Sequence, residues 1–322
     1  MIQTDQSSLL MTHADSISAI IVTFEPNLTT LEDNIIAVID QVDIVIVIDN
    51  GSSNQKKLVQ LLQQLAADKI KFHGLKDNQG VGAAHNHGIS IAKEFSSDYV
   101  LLLDQDTQVK PKMIDALHDA TLQLKSSGEL GQLAALGARY TSENGNDSFF
   151  VRFGLLKFQR HSCDDCEHVI LPTDFLISSG SLIPMKALEI IGDMDASLFI
   201  DHIDTEWFLR AKSKGFQAYG VCQALMQHGL GEQMHKVRFL GIGRVRNVPQ
   251  HKPFRYYYMF RNSIALYRRK DLSKLWKWND LQRLIQIFIF YGVCYGPRIK
   301  NLSMMMRGIR DGLANNMGKL PE

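Results

Sequence analysis

The first third of the chain alternates apolar runs with amphipathic segments. Ser18–Phe24, Asp43–Asp49 and Tyr99–Asp104 are compact runs of mostly aliphatic residues. Their apolar positions are consecutive instead of alternating, which is typical of parallel strands buried on both faces. Helices are predicted over residues 27–39, through Leu58 to Leu65 and over Ala83–Phe95, with a short strand around Ile70 to His73 before the last of them. Strands separated by helices of this length predict a doubly wound, mostly parallel α/β sheet flanked by helices.

Beyond Pro111 the periodicity weakens and predicts mixed elements: a helix to about Leu124, a strand near Leu133–Tyr140, short β runs to Ile177, a helix over Thr205–Lys214 and strands within Gln217–Gln227. From Phe254 onward the chain predicts successive helices rich in aromatic and basic residues. The fold class is therefore α/β with a helical C-terminal extension.

Composition supports one sizeable core, since 45% of the 322 residues are hydrophobic and 9% are aromatic. Disordered and fibrous classes are thereby excluded. The net charge of +1 conceals an asymmetry. Residues from Lys236 onward hold 18 basic and 4 acidic side chains, against 17 basic and 30 acidic before it. Such a division predicts a charged surface on one side of the molecule, for which nucleic acid and an anionic membrane are both possible partners.

The four cysteines do not form a disulfide framework in a chain of this length, and Met1–Asp15 lacks the pattern of a signal peptide. We therefore expect a reducing, cytoplasmic environment. The run Leu284–Tyr295 is too short to span a membrane. Residues 161–168 hold two histidines and two cysteines, but four ligands so close together would strain a zinc tetrahedron, and we expect no zinc site.

Acidic residues follow two of the predicted strands. Asp49 ends the predicted strand Asp43–Asp49, Asp104 ends the predicted strand Tyr99–Asp104, and Asp106 follows two residues later. Ligands of open α/β sheets bind beyond the carboxyl ends of the strands. Two carboxylates one residue apart repel each other unless a cation lies beside them, and oxygen ligands suit Mg²⁺ or Mn²⁺. The alternatives are turn chemistry for Asp49 and a solvated loop for the acid pair.

A glycine-rich turn precedes the helix Ala83–Phe95. Asn78, Gly80 and Gly82 stand in this turn, and their spacing lets backbone amides approach a ligand closely. The N-terminus of a helix also favours phosphate. The third glycine of the dinucleotide-binding fingerprint is missing from its register, so the motif alone is not specific.

Taken together, these motifs resemble the inverting glycosyltransferases of family 2, which have the GT-A fold. The resemblance covers about residues 17–265 and rests on these segments: Val22-Thr23-Phe24, Asp49-Asn50-Gly51-Ser52, Asn78-Gln79-Gly80 with Asn86 and Gly88, Leu103-Asp104-Gln105-Asp106, Ser178-Ser179-Gly180-Ser181, Phe199 to Arg210, and His228-Gly229-Leu230-Gly231. The segment His251 to Asn262 is similar to the signature of the bacterial rhamnosyltransferase branch.

The resemblance implies three parts: a nucleotide-sugar half at residues 15–110, an acceptor or catalytic half at 111–235, and a basic helical part at 236–322. It also implies roles for individual residues. Thr23 and Asp49 would hold the pyrimidine, and Asn78, Gly80 and Asp104 would bind the rest of the donor. Asp106 and His228 would bind a divalent metal. Asp204 would act as general base. Ser179, Gly180, Glu206 and Trp207 fall on the acceptor side.

Two of these positions also have structural interpretations. Acids in the first turn of a helix are expected for stability alone, which applies to Asp204. Trp207 could stack on an acceptor or belong to the core. The chain departs from the family at Phe24-Glu25, where Tyr-Asn is usual, and at Ile203-Asp204, where Glu-Asp is usual.

The resemblance implies transfer of L-rhamnose from dTDP-L-rhamnose to a glycan or lipid-linked glycan, with Mg²⁺ or Mn²⁺, in bacterial surface polysaccharide (O-antigen) synthesis. Three alternatives remain: transfer from a UDP-hexose, a nucleotidyltransferase, and a non-catalytic nucleotide-binding or membrane scaffold. A nucleotidyltransferase normally carries a basic glycine-rich loop after its first strand, whereas this chain has Glu25-Pro26.

The basic C-terminal part combines Arg and Lys with aromatic residues that we expect to be exposed: Tyr256, Tyr257, Tyr258, Tyr267, Trp276 and Trp278. No nucleic-acid-binding motif accompanies them, so we expect no nucleic-acid partner. Cationic helices with Trp and Leu can lie in a membrane interface. We therefore expect a peripheral protein at the inner face of the cytoplasmic membrane, with a solvated basic cap as the alternative.

Overall fold

The structure is a computed structural model that describes residues 15–65, 68–141, 150–155, 158–163, 170–228, 234–237, 246–249 and 251–321. At residues 228, 234–237 and 246–249 only the backbone is described. The first elements alternate as expected: β1 (Ile17–Thr23), α1 (Leu28–Ile39), β2 (Ile44–Asp49), α2 (Gln55–Gln64), β3 (Ile70–Gly74), α3 (Val81–Glu94) and β4 (Tyr99–Asp104).

The middle of the chain adds short strands and helices: β5 (Thr107–Val109), α4 (Met113–Ser126), β6 (Leu133–Thr141), β7 (Phe150–Phe153), β8 (Phe158–His161), β9 (Ile170–Thr173), β10 (Ser181–Pro184), α5 (Met185–Ile191), α6 (Ile203–Ser213) and β11 (Gln217–His228). The remainder consists of β12 (Met234–Val237), β13 (Arg246–Pro249), α7 (Pro253–Arg268), α8 (Lys274–Ile287) with a π-helical continuation at Phe288–Cys294, and α9 (Arg298–Ala314).

The central sheet has the strand order β3-β2-β1-β4-β10-β6-β11-β5, with β9 paired to β11. The first four strands are parallel, and their side chains alternate between two apolar cores. Ile20 and Leu102 point into one core, whereas Ile21 and Leu101 point into the other. The prediction of a mostly parallel sheet buried on both faces is confirmed.

One strand in the middle of the sheet departs from the parallel pattern. The four residues of β10 run antiparallel to both β4 and β6. This strand was not predicted, since the short β runs were expected to end at Ile177. Four residues are too few to show a reliable hydrophobic period. This strand joins the two halves of the sheet and carries Ser179 and Gly180 to the end of β4.

Helices α7 and α9 cross at close range in the C-terminal part. A Cβ atom at Gly308 would lie 2.4 Å from the carbonyl oxygen of Tyr257, so only glycine permits this approach. The expectation of exposed aromatic residues is wrong for most of them, since Tyr256, Tyr257, Tyr258 and Trp276 are buried. Trp278 is 52% exposed. Within the described residues, no helix is both long enough and apolar enough to cross a membrane.

A disulfide joins Cys163 to Cys222 on β11. This corrects the expectation that the cysteines stay reduced. The two residues are 59 positions apart, and only the packing of the segment after β8 against β11 brings their Cα atoms within 5.6 Å. Cys163 is therefore not available as a zinc ligand, and residues 164–168 of the cysteine–histidine segment lie outside the described residues.

His85 on α3 is fully buried, and neither ring nitrogen has a hydrogen-bond partner within the described part of the chain. Burial lowers the pKa of His85 from 6.5 to about 4. The folded state therefore holds this histidine neutral and binds fewer protons than the unfolded state between these two pH values. Stability is fully present above pH 6.5 and falls as the pH drops towards 4.

We predict that His85→Leu raises the free energy of unfolding by about 1 kcal/mol at pH 7, because it removes a buried polar group without partners. At pH 4 the gain should reach about 4 kcal/mol, because the proton linkage adds about 3 kcal/mol to it. Chemical denaturation at both pH values measures this difference, with exposed His161→Gln as the control. A loss of stability at pH 7 would contradict the assignment of His85 as an unsatisfied group.

Candidate active site

A cavity of about 360 Å³ opens at the carboxyl ends of the parallel strands. The register pairs Thr23 with Asp49 and Val22 with Asp104, so strands β1, β2 and β4 end side by side. The residues that line it include Phe24, Asn50, Asn78, Asp104, Asp106 and Arg255. The predicted site residues Asn78, Gly80, Asp104 and Asp106 are thus brought together at one edge of the sheet.

Asp49 lies beneath this cavity and is fully buried. Its carboxylate accepts hydrogen bonds from the hydroxyls of Thr23 (2.9 Å) and Ser52 (2.5 Å), the backbone N–H of Ser52 (2.9 Å) and the side-chain amide of Gln55 (2.9 Å). Four donors occupy the four acceptor positions of a carboxylate. A nucleobase could therefore bond to Asp49 only by displacing a protein donor.

Asn50 and Asn78 connect the turn after β2 to the turn before α3. The Asn50 side chain accepts from the backbone N–H of Gln79 (2.9 Å) and donates to Asn78 Oδ1 (3.2 Å). Asn78 Oδ1 also accepts from the backbone N–H of Gly80 (2.9 Å). These bonds shape the floor of the cavity between two strand ends.

The glycine-rich turn has a structural role in addition to the phosphate contact that was predicted for it. Gly80 has φ +91°, and a Cβ atom there would lie 2.5 Å from the carbonyl oxygen of Phe199. That carbonyl accepts from the backbone N–H of Val81 at 2.8 Å, so it caps the first turn of α3. Gly80 is needed because the segment around Phe199 crosses the helix at this point.

The turn that holds Asp104 and Asp106 is fixed from two sides. Ser179 Oγ accepts from the backbone N–H of Asp104 (3.0 Å) and shares a hydrogen bond with the hydroxyl of Thr107 (2.6 Å). Asn34 on α1 donates to the carbonyl oxygen of Gln105 (2.7 Å). Ser179 is 3% exposed and lies under the acid turn, and its acceptor-side role stays a prediction.

Gly180 also lies inside the protein. It has φ +79°, and its backbone N–H donates to the carbonyl oxygen of Leu102 (2.8 Å). A Cβ atom there would lie 2.5 Å from the sulfur of Met226. Gly180 therefore permits the chain to enter β10 beside β4, and its acceptor-side role stays a prediction as well.

The residues present fit a divalent metal that shares its ligands with a substrate. No group of three or more His, Cys, Asp or Glu side chains forms a cation site within the described ranges. Asp104 and Asp106 nevertheless both line the cavity, and Mg²⁺ typically binds one or two carboxylates together with substrate phosphates and waters. The backbone of His228 pairs with Thr107, next to this turn, and its side chain lies outside the described part of the structure.

A strained segment forms the opposite wall. Phe199, Asp201 and His202 all have φ between 64° and 65°, a left-handed conformation that costs energy in residues with a side chain. The amide of Asn262 donates to the carbonyl oxygens of Leu198 (3.0 Å) and Asp201 (2.9 Å). Asn262, which is fully buried on α7, therefore holds this segment in place.

Two arginines of the same helix act beside Asn262. Arg261 is fully buried and donates to the carbonyl oxygen of Leu198 (2.8 Å) and to Asn262 Oδ1 (2.9 Å). Arg255 lines the cavity and forms a two-bond ion pair with Asp201, at 2.6 and 3.0 Å. No role was predicted for these two arginines, although both lie in the segment His251 to Asn262 that is similar to the rhamnosyltransferase signature.

Asp204 lies in the first turn of α6, four residues after Ile200, which lines the cavity. Its carboxylate accepts from the backbone N–H of Thr205 at 2.7 Å. Part of the residue is exposed, but desolvation by the surrounding protein raises the pKa of Asp204, against the lowering effects of Thr205 and His202. A carboxyl group with a raised pKa, in a segment that borders the cavity, has one of the properties of a general base.

Glu206 and Trp207 correct the predicted acceptor side. Glu206 is fully buried and accepts from Arg210 (2.9 Å) and Arg269 (2.5 Å). Trp207 is fully buried as well, and its indole N–H donates to the carbonyl oxygen of Gly192 (2.8 Å). Both side chains stabilise α6 from within and have no surface for an acceptor.

Comparison with known proteins agrees with this geometry. Residues 18–167 match the family model named glycosyl transferase family 2. The chain is 28% identical over 266 residues to the dTDP-rhamnosyl transferase RfbF of Shigella flexneri, over 81% of this chain and 82% of that protein. It is 24% identical over 314 residues to the low-salt glycan biosynthesis hexosyltransferase Agl10 of Haloferax volcanii, over 96% and 94% of the two chains.

Two solved structures share the fold. A crystal structure of GalNAc-T7 with UDP, GalNAc and Mn²⁺ superposes with a TM-score of 0.60 at 12% identity, covering 93% of this chain and 56% of that one. For S. aureus TarS the TM-score is 0.52 at 13% identity, and the coverage is 95% and 49%. The chain thus spans about half the length of each of these two.

The fold is of the GT-A type, and its acid-lined cavity opens at the carboxyl ends of the parallel strands. Residues 18–167 match glycosyl transferase family 2, and the chain is similar to a dTDP-rhamnosyl transferase over most of its length. This confirms the resemblance predicted from the sequence motifs.

Proposed function

We propose that the chain transfers a deoxyhexose, L-rhamnose from dTDP-L-rhamnose, with inversion to a hydroxyl of a glycan or lipid-linked glycan in bacterial surface polysaccharide synthesis. The observation that carries this proposal is the cavity at the strand ends, in which Asp104, Asp106 and Arg255 surround one space. The choice of donor is supported by the identity with a dTDP-rhamnosyl transferase over most of both chains.

The donor would lie in this cavity with its nucleotide towards Asn50 and Asn78. Phe24 is 44% exposed at the cavity wall and offers a ring on which a pyrimidine can stack. Asp104 would bond to the ribose, and Arg255 would face the diphosphate. Thr23 and Asp49 act from below by fixing the turn at Asn50, and their direct contact with the base stays a prediction.

Asp106, with Asp104 beside it and His228 near the end of β11, would hold Mg²⁺ or Mn²⁺. Such an ion neutralises the charge that develops on a diphosphate leaving group. The rest of the chemistry belongs to the protein. Asp204 accepts the proton of the acceptor hydroxyl while the bond from that oxygen to the anomeric carbon forms, and the bond from the anomeric carbon to the phosphate oxygen breaks with its electron pair leaving on dTDP.

A single displacement on a β-linked donor predicts an α-linked product. We test this with purified protein and a panel of nucleotide sugars, measuring metal-dependent donor consumption and then the anomeric configuration of the product by NMR. Retention of configuration would contradict the direct displacement. Consumption of a UDP-hexose in preference to dTDP-L-rhamnose would favour the alternative donor, and binding of dTDP without turnover would favour the non-catalytic scaffold.

We further propose that the C-terminal helices dock on an anionic membrane without crossing it. Five apolar residues follow one face of α8 and its continuation at helical spacing, and each is between 39% and 55% exposed: Trp278, Leu281, Ile285, Ile289 and Val293. We refer to this set as the apolar stripe. Exposed Lys270, Lys274, Arg298 and Lys300 lie near its two ends in the chain, and each contributes on the order of 1 kcal/mol at an anionic surface.

The C-terminal part presents less unpaired positive charge at its surface than its count of Lys and Arg residues implies. Arg283 is paired with buried Asp280, and Arg269 with Glu206 and Asp271, so these cations serve the fold. The exposed lysines and the apolar stripe, together, have the composition of an interfacial helix.

We predict that the protein sediments with anionic liposomes at low salt and is released at high salt, since the cations are screened. Ile285→Glu should reduce binding by about tenfold or more, because it places a charge in the apolar stripe. Ile36→Glu on α1, an equally exposed position, is the matched control. If the wild-type chain stays in the supernatant with anionic vesicles at low salt, the stripe is a contact between protein chains.

A further inference from the structure

The cavity at the strand ends, in which the donor is proposed to bind, is named the donor cavity. A second cavity, of about 250 Å³, adjoins it across the segment Phe199 to Thr205. Phe199 and Ile200 line the donor cavity, whereas Asp201, His202 and Thr205 line the second one. The ion pair between Asp201 and Arg255 connects the two walls, since Asp201 faces the second cavity and Arg255 the donor cavity. The segment Phe199 to Thr205, which includes Asp204, therefore forms the partition between the two cavities.

Four aromatic rings form one wall of the second cavity: Phe153, Phe158, Phe175 and Trp276. Phe153 and Phe175 are stacked with an interplanar angle of 7°, and Phe158 is tilted against Phe153. Such a wall offers a flat apolar surface of the kind against which ligands are oriented in small-molecule sites. These rings come from three separate parts of the chain, so the cavity is created by the tertiary fold.

The polar wall is charge-balanced. Asp280 is buried and paired with Arg283 at 2.8 Å, while Asp201 is paired with Arg255 at 2.6 Å. His202 Nε2 lies 3.0 Å from Ser263 Oγ and 3.2 Å from Arg283. Since each of these acids has a cationic partner, a ligand with its own charge would add an uncompensated charge to this space. The wall is suited to an uncharged ligand with several hydroxyl groups.

We propose that this second cavity, here named the acceptor cavity, binds one uncharged pyranose ring of the acceptor glycan. The apolar face of the sugar packs against the aromatic wall, and its hydroxyls bond to the polar wall. One of these hydroxyls reaches the partition at Asp204, opposite the donor. This inference rests on the proposed glycosyl transfer and adds the chemical class of the acceptor.

Trp276 allows binding to be measured without turnover. With dTDP and Mg²⁺ present, we expect an uncharged methyl hexoside to change the tryptophan emission saturably at millimolar concentration, and methyl glucuronide to bind at least tenfold more weakly. Trp276→Phe should abolish the change, whereas exposed Trp278→Phe should keep it. Tighter binding of the glucuronide, or loss of the signal only in Trp278→Phe, would overturn the proposal.

Kinetics separate this inference from the proposed function. Phe158→Ala should raise the acceptor KM by about tenfold or more while the donor KM changes less than twofold, and Phe158→Tyr should restore it. Phe24→Ala should raise the donor KM and leave the acceptor KM nearly unchanged, and exposed Phe95→Ala should change neither constant. If no nucleotide sugar binds, the proposed function of glycosyl transfer is wrong. If the donor is consumed but Phe158→Ala leaves the acceptor KM unchanged, only the acceptor cavity is wrong.

Discussion

Asp106→Asn is expected to abolish sugar transfer and to weaken dTDP binding. The substitution keeps the size of the side chain and removes the negative charge that Mg²⁺ or Mn²⁺ needs. Asp106 lines the donor cavity together with Asp104, and no third acid or histidine in the described ranges forms a cation cluster that could replace it. The loss of transfer should therefore exceed about 10³-fold, in line with the several kcal/mol that a metal supplies to a transition state.

Isothermal titration with dTDP, with and without Mg²⁺, measures the binding part of this prediction, and donor consumption measures the catalytic part. Asp33→Asn is the control, since Asp33 is an exposed acid on α1 away from the cavity wall. Full wild-type activity in excess chelator would show that Asp104 and Asp106 are not a metal site.

Local sequence patterns are sufficient to predict the nucleotide half. Strands β1, β2 and β4 are continuous apolar runs that end in an acid or a threonine, and burial on both sides of a parallel sheet leaves little choice about their pairing. Because such strands end at one edge, the acids after β2 and β4 must lie near each other. The position of Asp104 and Asp106 in one cavity follows from this geometry.

The hydrogen bonds from Arg261 and Asn262 to the strained segment on the opposite wall cannot be predicted in this way. Asn262 bonds to Leu198 across 64 residues, and Arg261 does so across 63. The disulfide between Cys163 and Cys222 depends on packing across a similar separation. Helical periodicity identifies α7 as a helix but carries no information about which carbonyl groups its polar side chains will meet.

Helix α6 shows why sequence alone does not separate the roles of neighbouring acids. Acids in a first helical turn are expected to favour the helix whichever way they face, so Asp204 and Glu206 are equivalent in sequence. Packing separates them, because Glu206 is fully buried against Arg210 and Arg269. One signal was present in the sequence, since Arg210 follows Glu206 by four residues, the spacing of a helical ion pair.

Asp204→Asn is expected to lower the rate of the chemical step by about 10²–10⁴-fold, the usual contribution of a general base, and to leave the donor KM nearly unchanged. Desolvation raises the pKa of Asp204 above its ordinary value of 3.8, and the carboxylate is the active form. Wild-type activity should therefore increase as the pH rises through this raised pKa, and the variant should lack that increase. Asp193→Asn, an exposed acid before α6, is the matched control.

The same raised pKa gives an independent check on folding. The folded state binds the proton of Asp204 more tightly than the unfolded state, so ionisation of this group lowers stability as the pH rises above 3.8. Asn cannot ionise, and we expect Asp204→Asn to have a Tm at neutral pH at least equal to that of the wild type. A variant with unchanged Tm, unchanged donor KM and a full rate of transfer would exclude Asp204 as the base and direct attention to another acceptor of the hydroxyl proton on the partition between the two cavities.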